Sequence, residues 1–304
     1  MFVLRTDEPG DPRVRFSPSG QFLLVWEEVW SLAERARVHR EPEGILGAGE
    51  WSPVADELCV PRDNVLKIVT PRGEPIQTVE GAGWVRGVAF APKGDWLVTF
   101  SPFVLTGWKR VRGKWRSRWT AEVKKTGPLK NDSFESVTAF PDGRRVLTLT
   151  TRRHVRDGYT PYRVLFVLRD AKTGEVLGEQ PLAEEDGPLG VHTRLAVTPD
   201  GSRVIGFRAR SVLAWPAAPP SGRASRTPVS KKDVQDVALH PSGRWVLVAN
   251  NSPEVSVWDT TTWKPVRTLD WKIGPVECAA ISADGQLAAV ANESGKAAVW
   301  DWDL

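Results

Sequence analysis

The chain has 304 residues, 41% hydrophobic and 26% charged, with a formal net charge of +4. That balance excludes a disordered polymer, a collagen-like fibre and a disulfide-stapled miniprotein. No apolar run reaches the ~18 residues of a membrane-spanning helix, and the N-terminus lacks a charged segment leading into an apolar one, so neither a membrane anchor nor a secretory signal is expected. Its 26 glycines and 24 prolines imply frequent turns, and 15 tryptophans stand against 2 tyrosines and 1 methionine. Cys59 and Cys278 lie in apolar strand-like runs and read as buried thiols of a reducing compartment, which places the protein in the cytoplasm.

The chain opens on a short strand over 2–6. A phrase then recurs: an apolar strand, Pro or Ala, a small or polar residue, Gly, and a second apolar strand. It first stands at Val14-Arg15-Phe16-Ser17-Pro18-Ser19-Gly20, and a worn copy follows at Trp51-Ser52-Pro53-Val54-Ala55-Asp56. Further copies stand at Val88-Ala89-Phe90-Ala91-Pro92-Lys93-Gly94, Ala139-Phe140-Pro141-Asp142-Gly143, Val197-Thr198-Pro199-Asp200-Gly201, Leu239-His240-Pro241-Ser242-Gly243 and Ile281-Ser282-Ala283-Asp284-Gly285. The mean step is about 44 residues, the period of a four-stranded propeller blade. Each repeat splits into four strands; in the sixth they cover 235–239, 245–249, 254–258 and 265–269, with turn residues between them. Seven repeats account for residues 1–304 as a single domain.

The dipeptide Trp258-Asp259 closes Val255-Ser256-Val257-Trp258-Asp259, and Trp300-Asp301 closes Ala297-Ala298-Val299-Trp300-Asp301. Blade five has Trp215-Pro216 at that place, and blade four has Leu168-Arg169-Asp170. With these signatures the chain resembles the WD40 repeat family over essentially its whole length. It departs in lacking the family's Gly-His dipeptide, so the buried Asp–His–Ser/Thr–Trp network is incomplete in every blade. The resemblance implies a divergent, bacterial member with an all-β fold. That fold is a seven-bladed β-propeller of four-stranded antiparallel blades, closed by the N-terminal strand completing the last blade. Closure removes an open sheet edge.

Catalytic chemistry is sparse. His39, His154, His192 and His240 fall in four different repeats without a partner at metal-ligand spacing, and they read as structural or solvent-facing. Gly81-Ala82-Gly83-Trp84-Val85-Arg86-Gly87 leads into a strand rather than a helix, so it is a blade-to-blade turn and not a dinucleotide loop. Three positions before each anchor the inner strands carry Arg15, Glu50, Ala89, Thr138, Ala196, Ala238 and Ala280. Arg15 and Glu50 are neighbours there and read as a compensating ion pair between blades; the alternative is a general acid/base site. Arg13, Arg194 and Asp236 are scattered around the ring. No catalytic residue, metal or cofactor is expected.

Blade three is long, with its extra length in Trp108, Lys109, Arg110, Val111, Arg112, Gly113, Lys114, Trp115, Arg116, Ser117, Arg118 and Trp119. Strands over 103–111 and 114–123 meeting at a tight Arg112-Gly113 turn predict a hairpin that projects on the face of the Pro-x-Gly turns. Residues 108–125 hold eight Lys/Arg and one Glu, leaving 33 basic and 36 acidic side chains elsewhere. Strand alternation places Trp115, Ser117 and Trp119 on one face, with Lys114, Arg116 and Arg118 on the other. Basic residues among tryptophans suit phosphate contact with base stacking, or an acidic protein surface. Cations on an outermost strand also protect an exposed edge. A partner site would comprise Trp108, Lys109, Arg110, Arg112, Lys114, Trp115 and Arg116. A secondary one would comprise Arg152, Arg153, Arg156 and Tyr159, on the opposite face beside the acidic loop 183–187, whose charge would neutralise it. The Pro-rich stretch 217–222 reads as a surface loop.

The resemblance and the sparse chemistry point to a monomeric, non-catalytic scaffold that binds protein partners in trans. The alternatives are nucleic-acid binding through the hairpin and a propeller enzyme.

Overall fold

Six of the seven repeat phrases turn the chain in the same way. Gly20, Gly94, Gly143, Gly201, Gly243 and Gly285 all have φ between 63° and 75°. Each donates its N–H to the carbonyl three residues earlier, as Gly20 does to Ser17 at 2.9 Å and Gly285 to Ser282 at 2.9 Å. This turn folds a strand back on itself with a left-handed last residue, which explains the phrase's fixed glycine. Its polar positions lock the turn further: the Asp200 carboxylate accepts from Thr198 Oγ1 at 2.6 Å and Ser202 N–H at 3.0 Å. The second repeat lacks the glycine yet closes over the same span, with Ser52 N–H donating to Glu57 O at 2.8 Å as Ser17 N–H does to Phe22 O at 2.9 Å.

The computed structural model describes residues 1–7, 13–40, 49–62, 64–123, 132–153, 162–182, 195–217 and 223–303. These strands form seven four-stranded antiparallel sheets, each stepping outward in chain order from an innermost strand. The inner strands are Val14–Phe16, Glu50–Trp51, Gly87–Phe90, Ser133–Ala139, Ala196–Val197, Asp236–Leu239 and Cys278–Ile281. The sixth blade follows the expected strands closely, at Asp236–Leu239, Trp245–Ala249, Glu254–Asp259 and Lys264–Asp270. The seventh takes its outer strand from the other end of the chain: Phe2–Arg5 pairs antiparallel with Lys296–Asp301, matching Phe2 to Val299 and Leu4 to Ala297. Thr6 N–H continues the ladder to Gly295 O at 2.8 Å. Leu4 is buried with Val14 and Val299, so the closing strand contributes to the core as well as to the ladder. The expected propeller and its closure are both present.

Blades pack face to face through tryptophans on their third strands. Trp30, Trp108, Trp215, Trp258 and Trp300 each pack on the preceding blade, in five different apolar clusters. Trp215 meets Phe166 edge-on with centroids 5.1 Å apart. In blades one, three and six the pairing with the outer strand slips by one residue at this tryptophan, and blades two and four slip at the equivalent Val69 and Arg169. Trp30 and Trp108 therefore stand where Trp258 stands, although Ser31 and Lys109 follow them instead of aspartate. Blade three also keeps the Ser/Thr–Trp leg of the buried network, as Trp108 Nε1–H donates to Thr99 Oγ1 at 3.0 Å. Where aspartate is present it ties the next turn. Asp259 accepts from Thr261 and Thr262 N–H at 2.8 and 3.0 Å, and Asp170 from Lys172 and Thr173 N–H at 2.8 and 2.9 Å.

The turns dock in the other direction around the ring. Trp96 Nε1–H donates to Gly143 O at 2.7 Å in the next blade. His240 accepts from Ser242 N–H at Nδ1 and donates from Nε2 to Gly285 O at 3.2 Å. A Cβ on Gly285 would lie 2.5 Å from His240 Nε2, on a residue with φ of 75°. Gly285→Ala is expected to cost about 1–3 kcal/mol, read from urea unfolding. Gly178→Ala, where no atom lies within 4 Å of the added Cβ, is expected to stay within about 0.5 kcal/mol. The Asp200 carboxyl is held at about 2, first by Thr198 Oγ1–H and then by the N–H and hydroxyl of Ser202. Its contribution is complete above the ordinary 3.8 and is lost as pH falls through about 2. Asp200→Asn should lower Tm at pH 7, with the difference from wild type shrinking below pH 4 and vanishing near pH 2.

Candidate interaction surface

The blade-three hairpin comprises Val104–Val111 and Lys114–Glu122, joined by Arg112 and Gly113 at φ of 50° and 78°. Two consecutive left-handed residues make the tight turn whose twist suits a hairpin. The second strand of the blade begins at Trp96 opposite Lys109, and Arg110 N–H reaches Asp95 O at 2.8 Å. The pair Val111–Lys114 and the two turn residues beyond it therefore project about 7 Å at the ~3.4 Å rise per strand residue, on the face of the Gly94 turn as expected.

Its aromatic residues are arranged differently from the simple alternation. Ser117 pairs with Trp108 and Trp119 with Gly107, which leaves Arg118 as an extra, unpaired residue. That bulge turns Trp119 to the opposite face from Trp115. Trp115 packs on blade two in one cluster with Leu66, Ile68 and Val79; it is 4% exposed, and its ring meets Phe90 of its own blade edge-on at 5.8 Å. Gln77 of blade two clamps its backbone, with Oε1 accepting from Trp115 N–H at 3.0 Å and Nε2 donating to Trp115 O at 3.4 Å. Arg110 is held to Glu57 at 3.0 Å, also in blade two. Trp119 packs on blade four, its Nε1–H donating to Ala171 O at 3.0 Å, with its ring over Gly107 and Gly174. The hairpin is thus braced on both flanks. Trp108 and Trp115 are core residues with no face open for stacking on a base.

What the hairpin presents to solvent is charge. Lys109, Arg112, Lys114, Arg116 and Arg118 are exposed, and none of them is ion-paired among the described residues. Of the second basic segment, Arg152 is spent on the fold: it binds Asp132 at 3.1 Å and Glu179 at 3.2 Å. Those two carboxylates, one N-terminal to the inner strand and one on the outer strand of blade four, are what neutralise Arg152. The side chain of Arg153, all of Arg156 and Tyr159, and the loop 183–187 lie outside the described residues.

At the axis, the seven inner strands line a channel of about 1020 Å³. Arg15 Nε meets Glu50 Oε2 at 3.4 Å, as the expected ion pair between blades one and two, and Arg15 also donates to Val14 O at 2.8 Å. A second inter-blade pair, Arg86 with Glu135 at 3.9 Å, was not evident because both members sit six residues before their anchors, outside the inner-strand positions compared along the sequence. Burial, with Glu50 adding to it, pushes the Cys59 thiol up to about 12 and removes it as a nucleophile. Neither cysteine is in a disulfide, and both are buried. Among the described residues no group of three His, Cys, Asp or Glu side chains is placed to hold a metal ion, and no helix is long and apolar enough to cross a membrane.

The WD40 family model (WD domain, G-beta repeat) matches residues 73–101, which run from the outer strand of blade two through the first two strands of blade three. No curated protein sequence matches the chain. Among solved structures, a Kuenenia stuttgartiensis hydrazine synthase chain superposes with a TM-score of 0.72 at 15% identity, covering 98% of this chain and 97% of that one. The β-propeller domain of Myceliophteria thermophila Cps50 (Swd1) gives 0.73 at 15% identity, covering 99% of each chain. A chain of the mitotic checkpoint complex gives 0.73 at 13% identity, covering 99% of this chain and 90% of that one. These likenesses share the fold among proteins of unlike roles, so they establish architecture. The chain carries a WD40 repeat within a closed, all-β, seven-bladed propeller.

Proposed function

We propose that this propeller is a non-catalytic protein-interaction scaffold of the cytoplasm, a monomeric ring that receives an acidic protein partner on the basic hairpin of blade three. The observation that carries this reading is a row of five exposed cations, without an ion-pair partner among the described residues, on an element braced against blades two and four. The braced element orders little backbone on binding, and complementary charge speeds and orients encounter. Edge protection alone explains the cations of Lys114–Glu122 but not Lys109 on the inner neighbour. Nucleic acid is the second reading. It has the charge in its favour, but Trp108 and Trp115 are buried and offer no stacking platform.

The reading is tested by capture from host lysate, with and without nuclease, comparing wild type with a variant carrying Arg112→Glu, Lys114→Glu and Arg116→Glu. Defined proteins should survive nuclease with wild type and disappear with the variant. Urea unfolding of the variant should stay within about 1 kcal/mol of wild type, since these are surface changes. Loss of all captured material on nuclease treatment would install the nucleic-acid reading instead.

A further inference from the structure

Lys109 and Arg116 face each other directly across the hairpin ladder. Like charges in this relation oppose strand pairing. Their shared face is the one toward blade four: Lys109 lies opposite Trp96, which packs on that side, and two residues before it Gly107 lies under the Trp119 ring. Lys114 follows on the same face, two residues from Arg116. Across the seam, Arg144 and Lys172 flank Ala171, the residue that Trp119 holds by its carbonyl and whose N–H goes to Arg144 O at 2.8 Å. Both are exposed.

Two carboxylates beside this seam are consumed by their own turns. Asp142 accepts from Arg144 N–H at 2.8 Å and from Arg145 N–H and Nε–H at 3.2 and 2.7 Å. Asp170 accepts from Lys172 and Thr173 N–H. Glu175, at the end of the same turn, remains as the nearby carboxylate outside that bonding. The result is a seam of five cations with a built-in repulsion and little internal compensation.

Resting on the scaffold reading above, we infer that this seam is the docking site and that its occupant is an extended acidic peptide segment with carboxylates on alternate residues. Residues two apart on a strand lie about 7 Å apart, so Lys114 and Arg116 match side chains at alternate positions of an extended partner. A carboxylate between Lys109 and Arg116 converts their repulsion into two charge-assisted contacts.

The probe is a fluorescein-labelled octapeptide of alternating Glu and Ser, followed by anisotropy. Wild type should bind it in a salt-sensitive manner. Lys109→Gln with Arg116→Gln should weaken binding roughly tenfold or more, and the same variant should unfold at an equal or higher urea concentration because the opposed charges are gone. Arg112→Gln with Lys264→Gln, which removes two exposed cations and spares the seam, should stay within about twofold. Equal losses in both variants would overturn the seam while leaving a charge-driven scaffold standing. Absence of peptide binding by wild type would overturn the assigned occupant, whatever the lysate capture shows. Tighter binding of a duplex DNA that displaces the peptide would overturn it in favour of nucleic acid.

Discussion

Seven sheets arranged like spokes are close together at the axis and far apart at the rim, and this wedge-shaped gap governs the side chains between them. Near the axis, the gap admits small residues such as Ala89, Ala238 and Ala280. Further out it must be filled, because voids forfeit dispersion contacts and apolar burial. Tryptophan is the largest filler, and five blades place one on the third strand against the preceding blade. The unusual tryptophan content thus follows from the geometry of the ring. Blade three, whose outer strand is longest, adds Trp115 on one flank and Trp119 on the other.

The architecture was legible in the sequence because it rests on local chemistry repeated many times. A left-handed turn residue is cheap only as glycine, so six glycines after a Pro or Ala mark six blades. The end strand could be placed because closure leaves no other strand for the last blade. What stayed hidden depends on residues distant in sequence or on a slip of register. One unpaired residue at Arg118 was enough to separate Trp115 from Trp119. Trp30 and Trp108 went unrecognised as signature tryptophans because the following aspartate, which only ties a turn, is missing. The neutralisation of Arg152 was assigned to the loop 183–187 because its partners Asp132 and Glu179 lie 20 and 27 residues away, as single carboxylates outside any charge run. The hairpin's basic residues were legible as a group, whereas the burial of its indoles required knowing which neighbour each one meets.

The contrast between the hairpin and the channel bears on function. Two opposed pairs stand in the channel, Arg15 with Glu50 and Arg86 with Glu135, whose fields largely cancel. Charges on the hairpin are of one sign and accumulate. A ring whose remaining side chains carry a slight acidic excess therefore presents a strongly polar exterior, with one basic ridge. Such a dipolar molecule is oriented by an oppositely charged surface before contact is made.

The pairing of Phe2 with Val299 has a further consequence, in time rather than in space. During synthesis the strand that closes the ring is made before the other strands of the propeller, and its partner after them. Six blades can complete their own four-stranded sheets while the chain grows, each from contiguous sequence, but the seventh cannot. Until residues 296–301 are available, Leu4 has no sheet to enter and the strand Lys296–Asp301 has no outer neighbour. The ring is thus assembled from rapid local steps and one closing step whose sequence separation spans nearly the whole chain, the type of contact that forms slowest. The first and last blades remain separable until that step occurs, and the finished propeller joins them by backbone hydrogen bonds that no local segment could have supplied.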